Sequence, residues 1–200
     1  MKVLKAMLVS VSLFALCLTY VPKPAEAAKV KGFDYKAGDI LITKSYNSYK
    51  LVGHAGIVLP DGKNVLFTSM SYNKKPYVWS ISKWLDHYDT TKVVRHNKAS
   101  VANKAAQNAY DNYWKKGAKY KNSTYKVSTD PTNRKYLYCS EIVWQAYYYG
   151  AGVDYQMKMY NHGTGKEIYV RPSVVKPYFY VDTELQKHNG FKTVKKINWK

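Results

Sequence analysis

Two side chains in this sequence have the type and placement that nucleophilic chemistry needs. They are Cys139, in Tyr138-Cys139-Ser140-Glu141, and His54, in Gly53-His54-Ala55-Gly56. A thiolate attacks carbonyl carbon and a thiol barely does. A nucleophilic cysteine therefore needs a lowered pKa, usually from a helix N-terminus and a nearby imidazolium. Cys139 follows a long polar stretch and precedes the periodic apolar residues Ile142, Val143, Ala146 and Tyr147. That spacing predicts a helix from Cys139 to about Tyr149, with the thiol where unpaired N–H groups and the dipole favour negative charge. The same N–H groups would serve a tetrahedral oxyanion. Inert packing as a small side chain is the alternative for any free cysteine.

His54 heads an apolar run, and strand alternation puts His54, Gly56 and Val58 on one face and Ala55, Ile57 and Leu59 on the other. Gly56 leaves room for another element to approach the histidine's face. The remaining histidines, His87, His96, His162 and His188, lie in polar stretches, loops or the tail.

The ends of the chain decide what Cys139 can pair with. Lys2 and Lys5, an apolar run over 6–18 and Ala25-Glu26-Ala27 have the layout of a secretory signal peptide cut after Ala27. The run is short for a bilayer span of about 20 residues. The expectation is a 1–27 signal peptide and a single 28–200 domain, secreted or wall-associated, with no transmembrane segment after cleavage. Cys17 leaves with the signal, so Cys139 has no internal disulfide partner. Scattered histidines and one cysteine do not make a zinc site, and no metal or organic cofactor is expected.

The chain is strongly basic, with a net charge of +19 that becomes +17 once residues 1–27 are removed. Such a charge attracts the protein to anionic wall polymers or lipid headgroups. Lys and Tyr interleave over 110–126, but no nucleic-acid module accompanies them, and nucleic acid is an unlikely partner on this reading.

The elements that must position the pair read as strands first and helices later. Strands are predicted at 40–43, 54–59, 65–68, 77–79 and 92–95, with 54–59 and 65–68 forming a hairpin around Pro60-Asp61-Gly62. Helices are predicted at 81–88, at 100–116 with Ser100 as N-cap and Gly117 at its end, and from Cys139. A short helical stretch is expected from Arg171 through Val175 and a strand at 191–197. Loops at 121–135 and 154–168 carry no assigned role. The pattern is that of an α+β fold, mainly an antiparallel sheet with packed helices.

An ordered set of motifs spans most of the domain. It comprises Gly38-Asp39-Ile40-Leu41, Gly53-His54-Ala55-Gly56-Ile57-Val58, Gly117-Ala118-Lys119-Tyr120, Tyr138-Cys139-Ser140-Glu141-Ile142-Val143 and Arg171-Pro172-Ser173. In these the chain resembles the circularly permuted branch of the NlpC/P60 papain-like superfamily, the YiiX-like or YycO-like group. The resemblance implies a permuted papain-like fold with His before Cys, Cys139 as nucleophile and His54 as base, and acyl transfer through a thioester. Relatives often carry a Glu on the next strand to orient the imidazole. Here that strand reads Val65-Leu66-Phe67-Thr68-Ser69, which leaves Thr68 or Ser69, a backbone carbonyl or a water for the role. Tyr120 and Tyr138 are candidate cleft residues, and Glu141 is read as a dipole or capping residue.

Three functions follow. The first is a secreted cysteine peptidase or amidase cutting cell-wall peptides. The second is a lipid-directed thiol acyl hydrolase or acyltransferase. The third is a non-catalytic cell-wall-binding protein that keeps the fold.

Overall fold

A computed structural model describes residues 29–44, 53–72 and 74–199. The expected signal peptide and the polar loop at 45–50 lie outside them. The described elements are β1 Lys29–Val30, β2 Phe33–Asp34, β3 Ile40–Thr43, β4 His54–Val58, β5 Asn64–Phe67, β6 Tyr77–Ser80, α1 Ile81–His87, β7 Thr91–His96 and α2 Ala99–Ala109. There follow β8 Thr124–Tyr125, β9 Tyr136–Leu137, α3 Cys139–Ala151, β10 Met157–Asn161, β11 Lys166–Val170, α4 Thr183–Asn189 and β12 Phe191–Ile197. The fold is α+β. Six strands form one antiparallel sheet in the order β12-β7-β3-β4-β5-β6.

Alternation along the strands feeds two apolar layers. Ile40, Ile42, Ala55, Ile57, Leu66 and Val94 face α3 and α2. Leu41, Val58, Val65, Phe67 and Val93 face the other way, onto Ile81, Trp84 and Leu85 of α1. Residues 139–147 of α3 are all buried, as expected of a helix enclosed on every side rather than lying amphipathic on a surface. Its one buried amide, Gln145, is fully engaged. The amide accepts from Tyr113 Oη at 2.6 Å and donates to the carbonyls of Pro131 and Asn133 at 2.8 and 3.0 Å. The 121–135 loop therefore roofs α3, and a short parallel β8–β9 ladder ties it down.

Several expected boundaries differ. Lys98, not Ser100, occupies the N-cap of α2, and the last turn, Tyr110–Trp114, is a π-helix, so Gly117 lies beyond the helix end. Residues 171–175 are not helical. A 3₁₀ turn at Pro177–Val181 and α4 follow instead. The 154–168 loop contains the β10–β11 hairpin, whose base is closed by a two-pronged Arg171–Asp154 pair.

The Gly38-Asp39 motif is a packing device. Gly38 has φ +81°, and a Cβ there would lie 2.4 Å from the Ala102 carbonyl oxygen of α2. Its own carbonyl accepts from Tyr147 Oη of α3 at 2.7 Å. Asp39, fully buried, takes the Arg95 guanidinium at 2.6 and 2.7 Å. Gly38→Ala should therefore cost more than the roughly 1–3 kcal/mol of a forced positive φ, because backbone must also move. Gly117→Ala, with φ +78° and nothing within 4 Å, should cost only that strain. Urea unfolding of the two variants measures the difference, and equal losses would contradict the close-approach account.

Candidate functional site

Cys139 opens α3, and the preceding Tyr138 is extended at φ −128° and ψ 172°. The helix start is braced from two sides. Tyr138 N–H donates to Glu141 Oε2 at 3.2 Å, and Ser128 Oγ donates to Glu141 Oε1 at 3.1 Å. Across from these, Val175 N–H donates to Tyr138 Oη and Ser140 Oγ donates to the Val175 carbonyl, both at 2.7 Å. Tyr180 Oη adds a 3.3 Å bond to the Ser140 carbonyl. Glu141 is thus a capping residue, and burial pushes its pKa up to about 8 against the pull of Ser128 and Tyr138.

The Cys139 thiol is buried. Burial raises its pKa, opposed by amide donors at the sulfur from Ala55 on β4 and from Ser140 and Cys139 at the helix start. Ser140's single hydroxyl hydrogen is committed to Val175, so backbone amides supply the donors. The sequence led to an activated thiolate. Burial instead raises the thiol pKa, because desolvation outweighs the helix start.

His54 begins β4, and Thr43 of β3 lies opposite it. Its ring stacks on Trp84 (centroids 5.3 Å, interplanar 13°) and meets Phe67 and Tyr88 at 5.2 and 5.4 Å. Burial, with a smaller contribution from His87, pushes its pKa down to about 3. Gly56 does leave room on this face, but the element that approaches is α1. A Cβ there would lie 3.2 Å from Trp84 Cζ3. The imidazole therefore rests in the α1 layer, whereas the thiol sits on the Ala55 side with α3. Between the two residues the structure supplies the Ala55 amide, one position beyond His54.

Thr68 lies one residue past the end of β5. It is fully buried, and its Oγ1 has no hydrogen-bond partner among the described residues. Ser69 is buried and its Oγ accepts from Ser71 N–H at 3.2 Å. Tyr138 braces the helix start rather than lining a cleft. Tyr120 stacks with Arg134 (4.7 Å), which also covers Tyr149 at 3.5 Å. Tyr149 lies ten residues along α3 from Cys139, about 15 Å at 1.5 Å per residue, so the structure does not bring Tyr120 to the thiol. Sequence reasoning missed the Trp84–Tyr88 box and the Val175–Tyr180 strap. The only signal for the box was Trp84 and Tyr88 four residues apart in a helical stretch.

With this geometry in place the chain can be compared with known proteins. Residues 1–178 match the family described as lipoprotein N-acylation protein LnsA-like. The chain belongs to this LnsA-like family. An uncharacterized 30.3 kDa protein of Bacillus thuringiensis is 30% identical over 159 residues, covering 76% of this chain and 54% of that protein. The chain thus spans about half the length of this relative. The solved structure of the metalloprotein yiiX from Escherichia coli O157:H7 shares the fold, with a TM-score of 0.54 and 20% identity, over 84% of this chain and all of that one. Among the described residues of the LnsA-like chain, no group of three or more His, Cys, Asp or Glu is arranged to hold a metal ion. Nor is any described helix long and apolar enough to cross a membrane.

His54 gives this geometry a measurable signature. Its folded pKa lies below the unfolded value of about 6.5, so the fold favours the neutral ring. That contribution to stability is fully present above about pH 6.5 and is lost as pH falls toward 3. Unfolding free energy should therefore fall between pH 6.5 and 4, and His54→Phe should flatten that fall. An undiminished slope in the variant would place the ring in water rather than in the aromatic box.

Proposed function

We propose that this protein is a thiol-dependent acyl-transfer enzyme in which Cys139 carries the acyl group as a thioester. The observation that carries the reading is the placement of Cys139 as the first residue of a buried helix, with the amides of Ala55 and Ser140 at its sulfur. Membership of a family described by lipoprotein N-acylation favours a lipid acyl group over a cell-wall peptide. His54 preceding Cys139, and a cysteine-bearing helix lying on an antiparallel sheet, support placing the chain in the permuted NlpC/P60 branch. The leader pattern supports action outside the cytoplasm, and the basic surface supports attraction to anionic headgroups or wall polymers.

In this reading the resting enzyme holds neutral thiol and neutral imidazole. His54 takes the thiol proton as the sulfur attacks the carbonyl. The backbone amides at the sulfur hold the attacking atom, and the orphan Thr68 hydroxyl is available to the developing oxyanion. The proton then passes from His54 to the leaving group. A second reading, a non-catalytic binding protein retaining the fold, is favoured by one observation: the imidazole rests away from the thiol.

Intact-protein mass spectrometry after incubation with short-chain diacyl lipids and with wall peptides decides among these. A hydroxylamine-labile fatty acyl adduct on Cys139, absent in Cys139→Ala and reduced about 100-fold or more in rate in His54→Ala, is expected. A peptidyl adduct would move the enzyme to cell-wall amides, and no adduct with any acyl donor would favour the binding protein. Thr68→Val separates catalysis from folding. Removing a buried unpartnered hydroxyl should leave stability unchanged or higher, while thioester formation falls by about 10-fold or more. An unchanged rate would remove Thr68 from the mechanism.

A further inference from the structure

Two carboxyls are fully buried among the described residues, those of Asp39 and Glu141. Asp39 meets its cation, Arg95, at 2.6 Å. Glu141 meets none, since no Lys, Arg or His among the described residues pairs with it. The titratable groups that face it are Asp130 from the 121–135 loop, Tyr113 from the turn after α2 and Tyr138 from the helix cap. Arg134, the cation beside Tyr113, lies over that ring at 6.0 Å. A buried carboxylate without a cation is costly, and such a group takes up a proton instead.

The hydrogen bonds account for the same proton. Ser128 Oγ stands 3.1 Å from Glu141 Oε1 and also 3.1 Å from the Asp130 carbonyl oxygen. A hydroxyl has one hydrogen, and a backbone carbonyl can only accept. When Ser128 gives that hydrogen to Asp130, Glu141 must be the donor to Ser128 Oγ, with its proton on Oε1. Oε2 then remains the carbonyl oxygen that accepts Tyr138 N–H at 3.2 Å. An ionised Glu141 competes with the Asp130 carbonyl for the one hydrogen, and Ser128 donates to it only by releasing the turn.

We propose that Glu141 is held as a neutral carboxylic acid whose proton ties the 128–130 turn to the start of α3, which makes it a positioning residue for Cys139. With the proton in place the bonds run from Glu141 to Ser128 and from Ser128 to Asp130. Loss of the proton to water turns the Ser128 hydroxyl to the carboxylate and frees the Asp130 carbonyl. Burial, opposed by Ser128 and Tyr138, holds the carboxyl pKa up to about 8, so the tie loosens just above neutral pH. Gln145 and Tyr149 hold the carbonyls at 131–133 by bonds that no proton controls, which leaves 128–130 as the pH-sensitive part of the roof. That part borders the thiol's helix: Lys126 N–H donates to the Leu137 carbonyl at 3.2 Å, two residues before Cys139. The tie rests on the acyl-transfer reading only for the role of Cys139, and its readouts need no turnover, so either can fail alone.

Carbon-13 spectra of the full chain, labelled at the glutamate carboxyls, test the proton directly, because the sequence holds four glutamates. One carboxyl should titrate near pH 8, against about 4.3 for a free glutamate, and its signal should vanish in Glu141→Gln. Four carboxyls that all titrate below about pH 5 would overturn the proposal without any variant. Glu141→Gln keeps a donor for Ser128 and a carbonyl for Tyr138 N–H, but it cannot ionise. Hydrogen exchange over 126–131, corrected for its intrinsic pH dependence, should rise about fivefold from about pH 7 to about 9 in the wild type, the equivalent of one hydrogen bond. It should stay level in Glu141→Gln. The folded state keeps a proton that the unfolded chain has lost, so wild-type stability should also fall from about pH 6.5, where His54 is already neutral, to about 8. Cys139 alkylation at neutral pH should match the wild type in Glu141→Gln and rise about fivefold in Glu141→Ala. Equal pH slopes in the wild type and Glu141→Gln, or a Gln variant that alkylates like the Ala variant, would overturn the proposal.

Discussion

The contact on which the site depends is the one between the Ala55 amide at the start of β4 and the sulfur of Cys139 at the start of α3. It can form only if α3 is driven fully into the protein. That demand explains the Gln145 hydrogen bonds, the roof made by 121–135, the Val175 strap and the Gly38 close approach. Each of these supplies a polar partner or removes a side chain where the helix would otherwise be unable to descend. Ile142, Val143 and Trp144 reward the descent, each side chain contributing roughly 1.5–3 kcal/mol when withdrawn from water.

Burial has a chemical consequence. A helix N-terminus lowers a thiol pKa by stabilising charge, but only a few amides aim at the sulfur, while the entire surrounding layer penalises the thiolate. The same balance acts on His54, where three aromatic rings exclude the imidazolium. Burial therefore favours the neutral form of both groups, and β4 presents its first side chain to one layer and its second amide to the other. A two-layer sheet makes this arrangement stable, since neither layer must open to accommodate a charge. In the proposed acyl transfer, ionisation is deferred until substrate arrives.

The large features of this architecture were legible in the sequence. Alternation in β3 to β5 and β7 gave the sheet and its faces, because a strand with different environments on its two sides must show a period of two. The polar-to-apolar switch at Cys139 gave the start of α3 to within one residue. The misses have physical causes. The β10–β11 hairpin is built from Met157, Met159 and Ile168 mixed with lysine and glutamate, and it packs on little, so its pattern is weak. Its closure by Arg171 and Asp154 is a pairing across 17 residues that local propensity does not see. Ser100 is a good capping residue, yet α2 begins at Ala99, since Lys98 rather than Ser100 meets the turn after β7. The layer occupied by the His54 ring was set by Trp84 and Tyr88, more than 25 residues away, and only tertiary packing could choose it.

The central claim is a buried, protonated Cys139 whose ionisation is independent of His54 in the resting protein. The alkylation rate of Cys139 against pH, in the wild type and in His54→Ala, measures this without any substrate. The account predicts slow alkylation at neutral pH, an apparent thiol pKa above the free value of about 8.5, and no fall or rise when His54 is removed. A pKa well below that value, rising in the variant, would show an imidazolium already seated against a thiolate and would contradict the resting geometry described for β4.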